Sequence, residues 1–166
     1  MKYRWNREML RLLGGDPAFT ELSSVPVPEG LGRVMDDGFE AIDGCIVLRS
    51  LASSRRSALE HLKSSDDETG VEAAINEIHL EDFVSVETPF VELVQLGNDF
   101  GFALGKRLVD QGIVGPFRVI IAASPAGADS RRDSCTVRFH RVRSNQSWLS
   151  NDLENYREEA IGVMDF

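Results

Sequence analysis

The sequence predicts one α+β domain spanning residues 1–166. An antiparallel sheet of at least three C-terminal strands packs on one long helix, with additional N-terminal helices and a hairpin. Three observations carry this reading. Residues 89–111 hold the clearest helical pattern, three apolar runs of strand type follow it, and 166 residues with 42% hydrophobic content suit a single core. Strands clustered after a long helix favour antiparallel pairing over the alternating order of a parallel sheet.

Trp5, Met9, Leu12 and Leu13 recur at helical spacing, so residues 2–13 read as an amphipathic helix stopped by Gly14-Gly15. Pro26, Pro28, Gly30 and Gly32 make the stretch 23–32 a loop or extended arm. Asp36-Asp37-Gly38 and Asp43-Gly44 are turn signals, and Cys45 to Leu48 reads as the buried arm of a hairpin. Residues 54–63 suggest a short helix capped by Ser53 or Ser54, and 64–70 a polar surface loop. Between 71 and 86 the spacing turns from helical to alternating, which places a helix up to about Glu77 and an extended segment after it. Thr88 as cap, Pro89 at the first helical position and Glu92 in the first turn open the long helix, which runs to Gly112. The closing strands are Phe117 to Ala123, Cys135 to Val142 and Ala160 to Phe166. In the second, Cys135, Val137 and Phe139 point one way and Thr136, Arg138 and His140 the other.

A formal charge of −9 disfavours general nucleic-acid binding, because an acidic surface repels phosphate. No apolar run approaches the roughly 20 residues of a bilayer helix, and no signal sequence follows the basic start, so a cytoplasmic location is expected. Cys45 and Cys135 lie in apolar runs and read as buried free thiols. The charge is uneven. Residues 60–99 carry eleven acids against Lys63, whereas residues 129–143 carry five arginines against two acids. The expected partners of these arginines are the acids of the C-terminal segment, Asp152, Glu154, Glu158 and Glu159.

Motifs with chemistry attached are few. Gly105-Lys106 lacks the upstream glycine and downstream hydroxyl of a phosphate loop. No Gly-x-Ser-x-Gly occurs, and no histidines pair at i, i+4, so no catalytic residue, cofactor or metal ligand is assigned. A site joining His79, Asp82 and His140 is weighed against ordinary surface histidines, and the latter is favoured. Gly97, Gly101 and Gly105 form one stripe of the long helix. Each costs about 1 kcal/mol of helix propensity, which close packing on the sheet or a ligand groove would offset. Packing is the favoured reading.

The best-fitting role is protein binding without catalysis, as in an acidic bacterial inhibitor of toxin-immunity type facing a basic partner protein. Glu72, Glu77, Glu81 and Asp82 would supply the contact carboxylates. Arg138 and Trp148 belong to the residue types enriched at binding hot spots. Two alternatives stay open: a small-molecule-binding or hydrolytic enzyme with its pocket between helix 89–111 and the sheet, and a self-associating subunit using the glycine stripe or a sheet edge.

Overall fold

A computed structural model of the chain describes residues 1–15, 27–55, 60, 66–113, 115–127 and 132–166. It is α+β, with five helices among these residues and a five-stranded antiparallel sheet. The predicted helix 54–63 falls largely outside the described residues.

The chain opens on a strand, β1 (Lys2–Trp5), and the helix expected over 2–13 is confined to α1 (Arg7–Leu13). Asn6 divides them. Its Oδ1 accepts the amide of Met9 as an N-cap and also the amide of Ile161, while its Nδ2 donates to the carbonyls of Tyr156 and Glu159. A buried asparagine satisfied this fully fixes the helix start at residue 7 and docks β1 beside the last strand.

Helix α2 (Glu29–Asp37) replaces the expected arm over 23–32 from residue 29 onward. Pro28 sits at its cap, where a missing N–H costs nothing, and Leu31 and Val34 face the core. The two glycines that argued against a helix are tolerated within it, and Gly30 lies close against the Phe83 ring. Gly38, at φ 71°, ends α2 and leads into the predicted hairpin, β2 (Phe39–Ile42) and β3 (Cys45–Leu48), turned at Asp43-Gly44. The four-residue α3 (Arg49–Ala52) follows.

Helix α4 (Glu68–Ile75) begins inside the stretch expected as loop, because the Asp67 carboxylate caps it by accepting the Gly70 amide. Its far end is closed by Arg55, whose guanidinium donates to the carbonyls of Ala74, Ile75 and Glu77. The chain then extends as β4 (Ile78–His79) and turns through a 3₁₀ segment, Leu80–Phe83. The long helix α5 (Phe90–Asp110) starts one residue later than expected, with Pro89 as cap. Strands β5 (Phe117–Ser124), β6 (Ser134–Arg141) and β7 (Ala160–Asp165) match the three predicted strands to within one or two residues.

Strand order is β1-β7-β5-β6-β4, all neighbours antiparallel. Phe117, Val119, Ile121, Val137, Phe139 and Met164 line the face that receives α5. The glycine stripe lets the helix lie close. A Cβ at Gly97 would stand 2.6 Å from Cys135 Sγ, and one at Gly101 would stand 3.2 Å from Ile121 Cδ1. Gly105 faces the Phe166 ring in the same way. The space along the stripe is filled by protein, which leaves no ligand groove over these three glycines. The opposite sheet face is covered in part by the connection after β6. Leu149, Leu153 and Tyr156 pack there on Ile120, Ile161 and Val163. Among the described residues no helix is long and apolar enough to cross a membrane.

Candidate binding surface at the β4 edge

The sequence Glu77-Ile78-His79-Leu80-Glu81 alternates, so its polar residues share one face while Ile78 and Leu80 turn into the core. His79 pairs with Thr136 across the β4–β6 ladder, which places it on the face of the sheet that carries Arg138. The result is an unbroken row of contacts. His79 Nδ1 lies 3.2 Å from Glu81 and its Nε2 3.5 Å from Glu77. Glu77 accepts a 2.6 Å hydrogen bond from Arg138 Nη2, and the Arg138 guanidinium stands 5.3 Å from the centroid of the Trp148 ring. Asp82, next to this row, pairs with Arg132 at 2.8 Å and stays 68% exposed. Its neighbour His79 is 46% exposed, and Trp148 is 37% exposed.

Five of the six residues selected from the sequence therefore meet on this surface: Glu77, Glu81, Asp82, Arg138 and Trp148. Glu72 does not. It is fully buried under α4, where its carboxylate accepts the amides of Ile46 (2.6 Å) and Arg141 (2.7 Å) and the Arg143 guanidinium (2.7 Å). It holds the hairpin against β6 and offers nothing to a partner. His79 is the member that sequence reasoning placed elsewhere. The period-two spacing Glu77, His79, Glu81 was the available signal, obscured because residues up to Glu77 also fit a helix.

Arg132, Arg138 and Arg143 pair with the acidic segment 66–82 and not with the C-terminal acids expected from the sequence. Arg143 meets Glu68 and Glu72, Arg138 meets Glu77, and Arg132 meets Asp82. The reason is topological: α4 and β4 both pack on β6. These pairs neutralise part of the negative run, while Asp66, Glu87 and Glu92 remain exposed beyond them. Exposed pairs such as Arg132–Asp82 hold weakly, so an incoming cation can replace the arginine.

The disfavoured grouping of His79 and Asp82 with His140 is not formed, and among the described residues no cluster suits a metal ion. His140 is not a surface histidine either. It is 2% exposed, its Nδ1 donates to the Arg141 carbonyl, and its Nε2 meets no hydrogen-bond partner. Burial, aided by the Arg118 and Arg143 cations, lowers its pKa, against the opposing pull of the Arg141 carbonyl and Glu72. The folded protein therefore keeps His140 neutral where the unfolded chain, with its usual value near 6.5, takes up a proton. Unfolded chains then bind more protons, so this residue's contribution falls as pH drops below 6.5, by up to about 1.4 kcal/mol per pH unit. His140→Gln is expected to flatten the loss of urea stability between pH 7.5 and pH 5. An unchanged slope would refute the assignment.

Both cysteines are buried and free. Burial and the Glu72 charge push the Cys45 thiol up to about 11, and burial raises Cys135 further still, so neither is a thiolate nucleophile. A cleft of about 210 Å³ opens beside the row, lined by Glu81, Val84, Val86, Leu93, Arg132 and Asp133. It is smaller than the roughly 300–1,000 Å³ of ordinary ligand sites.

No curated protein and no solved structure matches the chain. A family model does, over residues 4–166; it describes the Uncharacterized protein PM0498 family.

Proposed function

The chain belongs to the PM0498 family, whose model it matches over residues 4–166, and from the surface just described we propose a non-catalytic binding domain of bacterial cytoplasm. It acts as an acidic inhibitor, of toxin-immunity type, that covers a basic partner protein. The observation that supports this is the row Glu81, His79, Glu77, Arg138 and Trp148, with Asp82 beside it. Trp148 and Arg138 form the rigid centre, an aromatic body held by a cation, and residues of these two types dominate binding energy where they are desolvated. The carboxylates around them steer a cationic partner and fix its register. Arg132 occupies Asp82 in the way a partner's arginine would, and its release exposes the acid.

Native mass spectrometry of the protein purified gently from its own host, with sequencing of any bound species, tests this. A basic protein in fixed ratio is expected. Reversing Asp82 and Glu87 to lysine, together with Trp148→Ala, should then weaken that complex by at least about 100-fold at low salt, some 2.7 kcal/mol. Glu72 is left out of the reversal because it is buried and its change would destabilise the fold. Absence of a basic partner, or affinity unmoved by these changes, would overturn the reading.

A further inference from the structure

We infer that the C-terminal half of α5 is a homodimer interface, formed by two copies of this chain about a two-fold axis. This face of the molecule is remote in sequence from the β4 row and does not depend on it. Phe102, Lys106, Val109 and Asp110 follow one another at i, i+4, i+7 and i+8, so they form one ridge. Val109 is 56% exposed, an apolar residue at the crest. A groove runs along each side. One is lined by Met1, Phe102, Val109 and Phe166, the other by Met35, Phe102, Ala103 and Arg107, and both reach Lys106 and Asp110. A ridge between two apolar grooves is the shape by which helices pack on each other.

The charges single out a second copy as the occupant. Among the described residues neither Lys106 nor Asp110 has an ion-pair partner, and both are exposed. In an antiparallel pair with its axis at the level of Leu108, each Lys106 stands opposite the other copy's Asp110. The two Val109 side chains then lie about 3 Å apart along the helix direction, given a rise of 1.5 Å per residue. One contact thus satisfies itself twice, as an isologous interface requires. The face also carries Arg107, so it escapes the excess negative charge that would otherwise drive two copies of a −9 chain apart.

Sedimentation equilibrium on the full chain at about 100 μM, enough to populate a dimer of roughly 10 μM affinity, gives the test. A mass of twice 18.4 kDa is expected for the natural protein. Lys106→Asp should return the monomer mass, and Lys106→Asp with Asp110→Lys should restore the dimer, because exchanging both charges restores complementarity. Both positions are exposed, so the fold is unaffected, and circular dichroism checks this. A monomeric natural protein overturns the inference. So does a dimer that survives Lys106→Asp, or one that the double exchange fails to rescue.

Discussion

Glu72→Ala is expected to lower the unfolding free energy by about 3–5 kcal/mol, a large part of the 5–15 kcal/mol a domain typically holds. The Glu72 carboxylate has no exposure, and three donors converge on it: the amides of Ile46 and Arg141 and the guanidinium of Arg143. Removing it leaves the Arg143 charge, itself only 16% exposed, without its inner partner and strands two amides. Glu68 lies on the outer side of Arg143 and offsets part of that loss. Glu72→Gln should cost nearly as much, because one end of the amide must turn an N–H toward other donors. Urea denaturation followed by circular dichroism measures both. A loss below about 1 kcal/mol for Glu72→Ala would mean that the carboxylate does not hold the seam. Replacing Glu72 and Arg143 together with methionine should cost far less than the two single changes predict, since an apolar pair strands no charge.

That residue also shows where sequence reasoning stops. Helix α5 and strands β5, β6 and β7 were legible because each obeys one period and buries one face or stripe. The glycine stripe likewise announced close packing, since three glycines in a helix need an offset, and the sheet side chains at Val119, Ile121 and Cys135 supply it. Residues 2–13 misled because Trp5 and Met9 fit helical spacing, although Asn6 between them is a capping residue whose bonds reach Tyr156, Glu159 and Ile161. No local pattern reports a bond across 150 positions. The acidic run misled for the same reason. Glu72 and Asp82 look alike in sequence, yet α4 turns the first under the hairpin while the 3₁₀ turn leaves the second in water. Which acids stay exposed and which are built into the fold is decided by β4 and α4 lying on β6, a non-local fact. Glu77, His79, Glu81, Arg138 and Trp148 come together through the same packing, with the alternation around His79 as their only local trace.

Phe139→Ala is expected to cost a further 3–5 kcal/mol, or about as much as the loss of Glu72, through the cavity it leaves. Phe139 is fully buried in β6 and meets Phe39 of β2 edge to face, with centroids 5.6 Å apart at 89°. It meets Phe117 of β5 at 6.4 Å and 70°. These rings join the two-stranded hairpin to the five-stranded sheet by apolar contact, where Glu72 and Asn76 join them by hydrogen bonds. Asn76 donates to the carbonyls of Ile46 and Phe139 and accepts the amide of Leu48. One seam is thus held twice, by groups that need each other's placement. A hairpin of two four-residue strands is too small to stand alone, so its loss should bring down α4 and with it the β4 row. Phe39→Ala and Phe139→Ala empty one shared space, and combined they should cost less than their sum, by at least about 0.5 kcal/mol. Strict additivity would show the rings to be independent. Coincident urea transitions for tryptophan fluorescence, dominated by Trp5 and Trp148, and for far-UV circular dichroism are expected in every variant. A separate early fluorescence transition in Phe139→Ala would instead show that the hairpin and the β4 surface come away from a sheet that stands without them.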